Sequence, residues 1–377
     1  MVDDPEEASV HAERLQQLQA SITDAGLDAY ALAPGPSLFY LTGLAFHLME
    51  RPIVLLVPAE GQAALIVPGM ERDKAQTSGL AFRAFVYGED PATQPEAFSQ
   101  ALTAIGLTDG RVGIEPLRLR YYESELLRQA APVLRQVAAP QVVGDLRLRK
   151  DATEIGAMRR AVEIAEAAMQ ALLPTIQVGM TERQIAAELT VHLLRAGSDS
   201  ALPFQPIVAS GPNSALPHAT ASDRQLQSGE FLLIDWGASH QAYFSDLTRT
   251  FAVGEPTDEM RGIHQAVLAA NKAGRQAIAP GRTCGSIDDA ARRAIDQTGY
   301  GQRFIHRTGH GLGLEEHEEP YLYAGNSQAL APGMTFTVEP GVYVTGYGGV
   351  RIEDNVVVTV DGGETLSSLD RFLEIVG

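Results

Sequence analysis

The sequence predicts an α/β (α+β) protein of two domains, of which the second contains a duplicated helix–helix–hairpin unit. The chain has 377 residues, enough for about two or three domains. Its apolar residues recur at helical spacing in some segments and form short strand-like runs in others. A string at residues 226–235 also has a counterpart at residues 330–339. We therefore expect a smaller domain at residues 1–145 and a larger one at residues 151–377.

The first domain is predicted to alternate helices and strands. Gly26 is a suitable end for a helix whose apolar face consists of Val10, Leu15, Leu18 and Ile22. Apolar runs at residues 53–57 and 63–67 flank a polar segment that contains Pro58, which indicates a β-hairpin. Residues 111–115 resemble a further strand. We see no catalytic set of residues in this small α/β domain.

Capping signals and repeated strings organise the second domain. Asp151 and Glu154 have the spacing of a helix-capping pair, and apolar residues follow at spacings of three and four. We expect helices at about 152–173, from Thr181 onwards, at about 258–279 and at about 286–298, with strand pairs around 231–251 and 335–358. Three pairs of similar residues lie 104 positions apart: Leu226 and Leu330, Gly229 and Gly333, and Asp235 and Glu339. This repetition indicates two copies of one unit, each with a carboxylate at the same place.

Each predicted hairpin sets two carboxylates opposite each other. In the first hairpin, a turn centred between residues 240 and 241 would place Asp235 opposite Asp246. In the second, the glycine-rich turn would place Glu339 opposite Glu353. Side chains that are directly opposed on one face of a sheet lie about 4.5–5.5 Å apart at Cβ.

Opposed carboxylates in apolar strands need a physical reason, because like charges across a strand pair destabilise it and burial of an unpaired charge is costly. The four acids could be solvated on an outer face. Alternatively, each pair could share a proton, although the aspartic proteases need only one such pair. Divalent cations neutralise four carboxylates best, and we favour this interpretation.

His310 is the fifth candidate ligand. It lies in GHGLGLEEHE at residues 309–318, where glycines allow a close approach of the backbone. Four carboxylates and one imidazole suit two divalent metal ions about 3.5–4 Å apart. Such ligands favour manganese, cobalt, iron or zinc over copper. A phosphate loop is not indicated, because no Lys-Ser/Thr pair follows the glycines.

Charge and cysteine content disfavour several protein classes. The net charge of −18 argues against a nucleic-acid partner. The single cysteine, Cys284, excludes a disulfide framework, and we interpret it as a small residue near a turn. No apolar run is long enough to predict a membrane span. The acidic residues 1–7 do not resemble a secretory signal, so we expect a cytoplasmic protein.

The order Asp235, Asp246, His310, Glu339 and Glu353 resembles the ligand set of the dinuclear-metal peptidases of the "pita-bread" fold, family M24. This family includes methionine aminopeptidase, Xaa-Pro aminopeptidase and Xaa-Pro dipeptidase (prolidase). The resemblance spans about residues 150–370. The preceding residues, with SLFYLTG at 37–43, resemble the creatinase-type N-terminal domain, which methionine aminopeptidases lack. The resemblance therefore favours the Xaa-Pro branch.

The resemblance also implies roles for individual residues. His218 in NSALPHA would contact the scissile peptide, His317 would stabilise the tetrahedral intermediate, and Arg351 would support the ligand cluster. Glu339 would take a proton from the attacking water and pass it to the leaving nitrogen. Two divalent metal ions would activate this water. Manganese is the expected metal, with cobalt, zinc and iron as alternatives.

The implied function is that of a metallo-exopeptidase that cleaves the bond before proline in a peptide, as an Xaa-Pro dipeptidase or an Xaa-Pro aminopeptidase. A homodimer is expected from the resemblance alone. Two alternatives stay open from the sequence. One is a creatinase-like amidinohydrolase, and the other is a non-catalytic, metal-free binding protein on the same fold. Such relatives usually lose ligand residues, whereas this chain has all five.

Overall fold

The structure is a computed structural model that describes residues 5–377, with side chains described from residue 9 onwards. Residues 1–4, which begin the acidic segment used to argue against a secretory signal, lie outside the described residues. The chain divides into two compact units, the first ending at Arg147 and the second running from Leu148 to Gly377. Within the described part, no helix has the length and apolar character needed to cross a membrane.

The first unit is a mixed six-stranded sheet with helices, in the strand order β4-β3-β2-β1-β5-β6. Its helices are α1 Pro5–Asp24, α2 Pro36–Thr42, α3 Arg72–Gln76, α4 Gln94–Ala104, α5 Tyr121–Ala130 and α6 Gln141–Arg147. Its strands are β1 Ala29–Leu32, β2 Val54–Pro58, β3 Ala64–Pro68, β4 Arg83–Tyr87, β5 Arg111–Ile114 and β6 Arg135–Ala138. The predicted hairpin is confirmed, because β2 and β3 pair as antiparallel neighbours.

The core of the first unit follows the predicted apolar pattern with one exception. Every residue of β1, β2 and β3 is buried, as expected for the centre of a sheet covered on both faces. On α1, Leu18 and Ile22 are fully buried, whereas Val10 is 41 % exposed. The predicted apolar face is therefore wrong at its first member. Gly26 has a φ of 62°, which fits its predicted place just beyond the helix end.

The second unit consists of four helices and four small sheets. Its helices are α7 Ala152–Leu172, α8 Glu182–Ala196, α9 Asp258–Gln276 and α10 Cys284–Asp296. Its strands are β7 Ile207–Ser210, β8 Glu230–Trp236, β9 Ser239–His240, β10 Tyr243–Phe244, β11 Leu247–Val253, β12 Gly309–Gly311, β13 Glu318–Leu322, β14 Thr335–Val338, β15 Gly341–Val344, β16 Gly348–Arg351, β17 Asp354–Val358, β18 Gly363–Thr365 and β19 Ile375–Val376. The two larger sheets have the orders β19-β11-β8-β7 and β13-β12-β14-β17-β18.

The expected repetition is present in the order of these elements. A helix pair, α7 and α8, precedes the antiparallel pair of β8 and β11, and a second helix pair, α9 and α10, precedes the antiparallel pair of β14 and β17. The predicted capping box at Asp151 and Glu154 is confirmed, with hydrogen bonds of 2.9 Å and 2.8 Å. Thr181 caps α8 in the same way. These two caps hold the starts of the helices that precede the first hairpin.

The first hairpin has a different register from the predicted one. Asp235 pairs with Thr248 and not with Asp246, because the turn is centred one position later than expected. Asp246 lies two residues before that partner and therefore on the same face of the sheet. The two aspartates are diagonal neighbours, a relationship that still keeps their carboxylates within reach of each other.

The turn itself explains this correction. Gln241 and Ala242 occupy its two central positions with φ values of 51° and 64°, a left-handed conformation that usually selects Asn or Gly. Asp199 holds the turn, because its Oδ2 accepts hydrogen bonds of 3.0 Å from the backbone N–H of Ala242 and from the hydroxyl of Ser239. Neither central residue is typical of such a turn, so the sequence does not reveal where the turn is centred.

The register predicted for the second hairpin is confirmed. Val338 pairs with Asp354 and Gly341 pairs with Arg351, so one register continues through both ladders. Glu339 and Glu353 lie opposite each other between the two ladders, beside Pro340. Gly346 has a φ of 79° in the turn, which is why a glycine suits this position.

Candidate metal centre

The acidic residues singled out from the sequence converge with His310 in the second unit. Single ligand atoms of Asp246, His310 and Glu353 all lie within 4.8 Å of one another. Nε2 of His310 is also 3.3 Å from Oε1 of Glu339 and 3.6 Å from Oδ2 of Asp246. Asp235 lines the same cavity, which has a volume of about 450 Å³. All five predicted ligands are therefore brought together.

Strands and the residues at their ends position these five side chains. Asp235 is the penultimate residue of β8, and Asp246 directly precedes β11. Glu339 directly follows β14, and Glu353 directly precedes β17. His310 is the middle residue of β12, which lies next to β14 in the sheet. Each repeat thus contributes two carboxylates, and the second repeat adds the imidazole.

The carboxylates are held in an environment that opposes their charge. Burial raises the pKa of Asp246 well above its usual value, and repulsion from Glu353, Asp235 and Glu339 raises it further. Burial, followed by repulsion from Glu339, likewise raises the pKa of Glu353 well above its usual range. The protein alone does not neutralise this cluster, so it favours a bound cation.

Asp235 forms an ion pair with a buried arginine. Its Oδ2 accepts a hydrogen bond of 2.5 Å from Nη2 of Arg351. Its other oxygen, Oδ1, is buried and has no hydrogen-bond partner in the described part of the chain. A buried carboxylate oxygen without a donor is destabilising unless a cation or a proton occupies that side.

His310 presents a lone pair to the carboxylates. Its Nδ1 is 3.1 Å from the carbonyl oxygen of Gly311, which can only accept, so Nδ1 carries the proton. Burial lowers the pKa of His310 well below its usual value, which keeps the ring neutral. The unprotonated Nε2 then faces oxygens of Glu339 and Asp246. Because lone pairs would repel there, this arrangement fits a divalent metal ion between the ligands.

Arg351 connects the ligand cluster to a hydrogen-bonded chain. It is buried, and besides Asp235 it donates from Nε to Oγ1 of Thr248 at 3.0 Å and from Nη1 to the hydroxyl of Tyr343 at 3.0 Å. The hydroxyl of Tyr343 lies 2.9 Å from Nε2 of His306. The family resemblance implied a supporting role for Arg351, whereas neither Tyr343 nor His306 was predicted to take part in the site.

The two other predicted catalytic histidines line the same cavity. His218 and His317 are both exposed to solvent within it. The ring of His317 lies 4.0 Å from that of His310, in an edge-on arrangement. The position of both rings on the cavity wall allows either one to donate a hydrogen bond to a substrate.

Several wall residues were missed by sequence reasoning. They are Phe204, Gln205, Ile207, Pro217, His306, Arg307 and Glu316. For His306, Arg307 and Glu316 a signal existed, because they lie in the same segment as His310 and His317. Phe204, Gln205 and Ile207 come from a loop and strand far from any motif, and no local pattern points to them.

Buried carboxylates on the second helix of each repeat hold the loops around the cavity. Glu182 of α8 accepts hydrogen bonds from Ser210, Asn213 and Ser222, which flank the segment that carries His218. Asp288 of α10 accepts hydrogen bonds of 3.0 Å and 2.8 Å from the backbone N–H and the hydroxyl of Thr308, two residues before His310. These contacts hold the segments that carry His218 and His310.

Comparisons with known proteins agree with this geometry. The model of "Metallopeptidase family M24" matches residues 156–360, and that of "Creatinase/Prolidase N-terminal domain" matches residues 14–149. A protein named "Probable dipeptidase PepE" from Mycobacterium tuberculosis is 37 % identical over 378 residues, which is 98 % of each chain. An "Xaa-Pro dipeptidase" from Pyrococcus horikoshii is 34 % identical, over 96 % of this chain and 98 % of that protein. A crystal structure of a recombinant prolidase from Thermococcus sibiricus superposes with a TM-score of 0.92 at 32 % identity, covering 97 % of this chain and 99 % of that one.

Proposed function

Because the chain belongs to metallopeptidase family M24, with the creatinase/prolidase type of N-terminal domain, we propose that it is an Xaa-Pro dipeptidase that hydrolyses the bond before the proline of a dipeptide. The observation that carries this proposal is the meeting of four carboxylates and one neutral imidazole in a single cavity. Relatives named Xaa-Pro dipeptidase or prolidase supply the substrate class. We assign catalysis to the domain at residues 151–377, and the domain at residues 1–145 would be the N-terminal one.

We propose that Asp235, Asp246, His310, Glu339 and Glu353 hold two divalent metal ions, with manganese as the first candidate and cobalt, zinc or iron as alternatives. The fit rests on the unpartnered oxygen of Asp235 and on the lone pair that His310 turns towards the carboxylates. When bound, such ions polarise a scissile carbonyl and lower the pKa of a water molecule towards about 7.

The other steps fall to side chains of this protein. Glu339 would take the proton of the attacking water and return it to the departing proline nitrogen. His218 and His317 would hydrogen-bond the scissile peptide and the tetrahedral intermediate as charge develops there. Arg351 would fix Asp235 in place and favour its ionised form, since its positive charge opposes the larger effect of burial, which raises the pKa of that carboxyl.

Arg307 supports a dipeptide over a longer peptide as the substrate. It lines the cavity, and its guanidinium stacks on the ring of Tyr321 at 4.4 Å. Among the described residues, no carboxylate forms an ion pair or a hydrogen bond with it. A guanidinium fixed by stacking and left without an anion suits the terminal carboxylate of a dipeptide, which it can bind through two hydrogen bonds.

A substrate panel with metal analysis of the same sample tests this function. We expect hydrolysis of Leu-Pro and Ala-Pro, weaker hydrolysis of Leu-Pro-Gly, and no hydrolysis of Met-Ala. Activity should disappear with a chelator and return with manganese or cobalt. Hydrolysis of creatine without hydrolysis of any Xaa-Pro peptide would instead support an amidinohydrolase. The homodimer and the cytoplasmic location stay predictions.

A further inference from the structure

Glu316 is an acidic residue of the cavity that the proposed reaction does not use. It lines the cavity together with the five candidate ligands but is not one of them. It is half-buried, and burial raises its pKa, with a further contribution from the charge of Asp235. Across the part of the chain that the structure describes, its carboxylate has neither a hydrogen bond nor an ion pair.

The cationic side chains of this region make their contacts with groups other than Glu316. Lys150 forms a buried ion pair of 2.5 Å with Glu318, and Arg351 is bound to Asp235. Arg307 stacks on the ring of Tyr321 and forms no ion pair with Glu316 or with any other described carboxylate. A half-buried carboxylate that repels a neighbouring acid and has no cation from the protein is suited to receive one from a bound molecule.

The distribution of charge in the cavity orients such a molecule. The negative charge of Asp235 raises the pKa of Glu316. The positive charge of Arg307 instead lowers the pKa values of Glu339, His310 and His317. A peptide carries its positive charge at the amino end and its negative charge at the carboxyl end. Its first residue is therefore directed towards Glu316, and its terminal carboxylate towards Arg307.

We propose that Glu316 is a specificity-determining residue that binds the side-chain cation of the first residue, so that the enzyme prefers Lys-Pro and Arg-Pro over uncharged Xaa-Pro dipeptides. This inference rests on the proposed dipeptidase function. The α-amine lies next to the scissile carbonyl and therefore stays close to the ligand cluster. The ammonium of lysine lies at the end of a flexible four-carbon stem and can reach a carboxylate further along the wall.

The test compares Lys-Pro with norleucine-Pro, which has a similar stem without the charge. We expect the wild-type enzyme to show a kcat/KM for Lys-Pro at least about tenfold above that for norleucine-Pro, as a charge-assisted hydrogen bond allows. In Glu316→Gln this ratio should fall to within about twofold of unity. Glu315→Gln, which makes the same charge change one residue outside the cavity lining, should keep the wild-type ratio. Metal content, measured on every sample, shows whether a variant has kept its metal centre.

Three outcomes would overturn the inference. A wild-type ratio near unity would show that no side-chain cation is recognised. A loss in Glu316→Gln that is equal for both dipeptides, at full metal content, would assign Glu316 to the α-amine instead. A Glu316→Gln enzyme that keeps the wild-type ratio would remove the residue from specificity altogether. By contrast, a wild-type enzyme that cleaves neither dipeptide would contradict the proposed function itself, and the inference with it.

Discussion

The hydroxyl of Thr248 donates a hydrogen bond of 2.5 Å to Oε2 of Glu353 and thereby joins the two repeats at the candidate metal centre. The backbone N–H of Glu353 also donates to the carbonyl of Thr248 at 3.1 Å. Thr248 is the cross-strand partner of Asp235, and its hydroxyl accepts a hydrogen bond from Arg351. One buried threonine therefore contacts a ligand of each repeat and the arginine between them.

Replacement of Thr248 tests this connection. Thr248→Val keeps the shape of the side chain but leaves Nε of Arg351 and Oε2 of Glu353 without their partner. We expect a loss of about 1–3 kcal/mol in the free energy of unfolding and a roughly 10- to 100-fold weaker affinity for manganese. Urea unfolding and metal titration measure the two effects. Thr248→Ser, which retains the hydroxyl, should stay close to the wild type, and equal behaviour of both variants would contradict the connection.

Arg351 is predicted to be necessary for both stability and activity. Arg351→Met would leave Oδ2 of Asp235 buried without its donor, a change that typically costs about 3–5 kcal/mol. We expect a lower unfolding midpoint and a large decrease in kcat for Leu-Pro. Arg351→Lys retains the charge, but one ammonium cannot reach Asp235, Thr248 and Tyr343 together, so an intermediate kcat is expected. Wild-type kcat and stability in Arg351→Met would refute this role.

Glu182 is predicted to act on catalysis only through the loop that carries His218. Glu182→Gln replaces one accepting oxygen with an amide donor that faces other donors, which should loosen residues 211–222. We expect kcat to fall while the metal content stays unchanged, and amide hydrogen exchange to accelerate in that loop. Glu188→Gln, an exposed change on the same helix, is the matched control. Unaltered exchange in Glu182→Gln would show that the loop is held by other contacts.

Cys284 is predicted to be chemically inert in the folded enzyme. It is buried at the start of α10, and burial raises the pKa of its thiol to about 11. Since the thiolate is the reactive form, it is scarcely populated below that pKa. Treatment with iodoacetamide at pH 7.5 should leave the native protein unmodified and active, whereas protein in urea should be alkylated. Rapid alkylation without denaturant, seen by mass spectrometry, would contradict the structure at this residue.

Much of the fold was predictable because its signals are local. Asp151 with Glu154, and the apolar strands β2 and β3, carry patterns that depend only on nearby residues. The register of the second hairpin followed from a glycine turn that the sequence displays openly at Gly346. The register of the first hairpin is not evident from the sequence, because Gln241 and Ala242 adopt left-handed backbone angles in a turn that distant contacts such as those of Asp199 support.

The candidate site was predictable only where its residues lie in one of these local patterns. Four of the five ligands lie at strand ends of the two repeated hairpins, and His310 lies in a glycine-rich segment. The roles of His218, His317 and Arg351 were implied by resemblance to a family. Thr248 and Tyr343 look like ordinary strand residues, because their importance depends on hydrogen bonds to other parts of the site. The partner of Thr248 is Glu353, 105 positions further along the chain, and that of Tyr343 is Arg351, 8 positions further along. Glu316 and Arg307 are unusual only because neighbouring charges are already paired, which a sequence does not reveal.

The most direct test of the central claim is the metal content of His310→Ala and Asp246→Asn, measured by mass spectrometry beside hydrolysis of Leu-Pro. His47→Ala, an exposed change in the first unit, is the control and should match the wild type. If these five residues form one metal centre, both variants should lose nearly all bound metal and all measurable cleavage. Wild-type metal content in both variants would contradict the account.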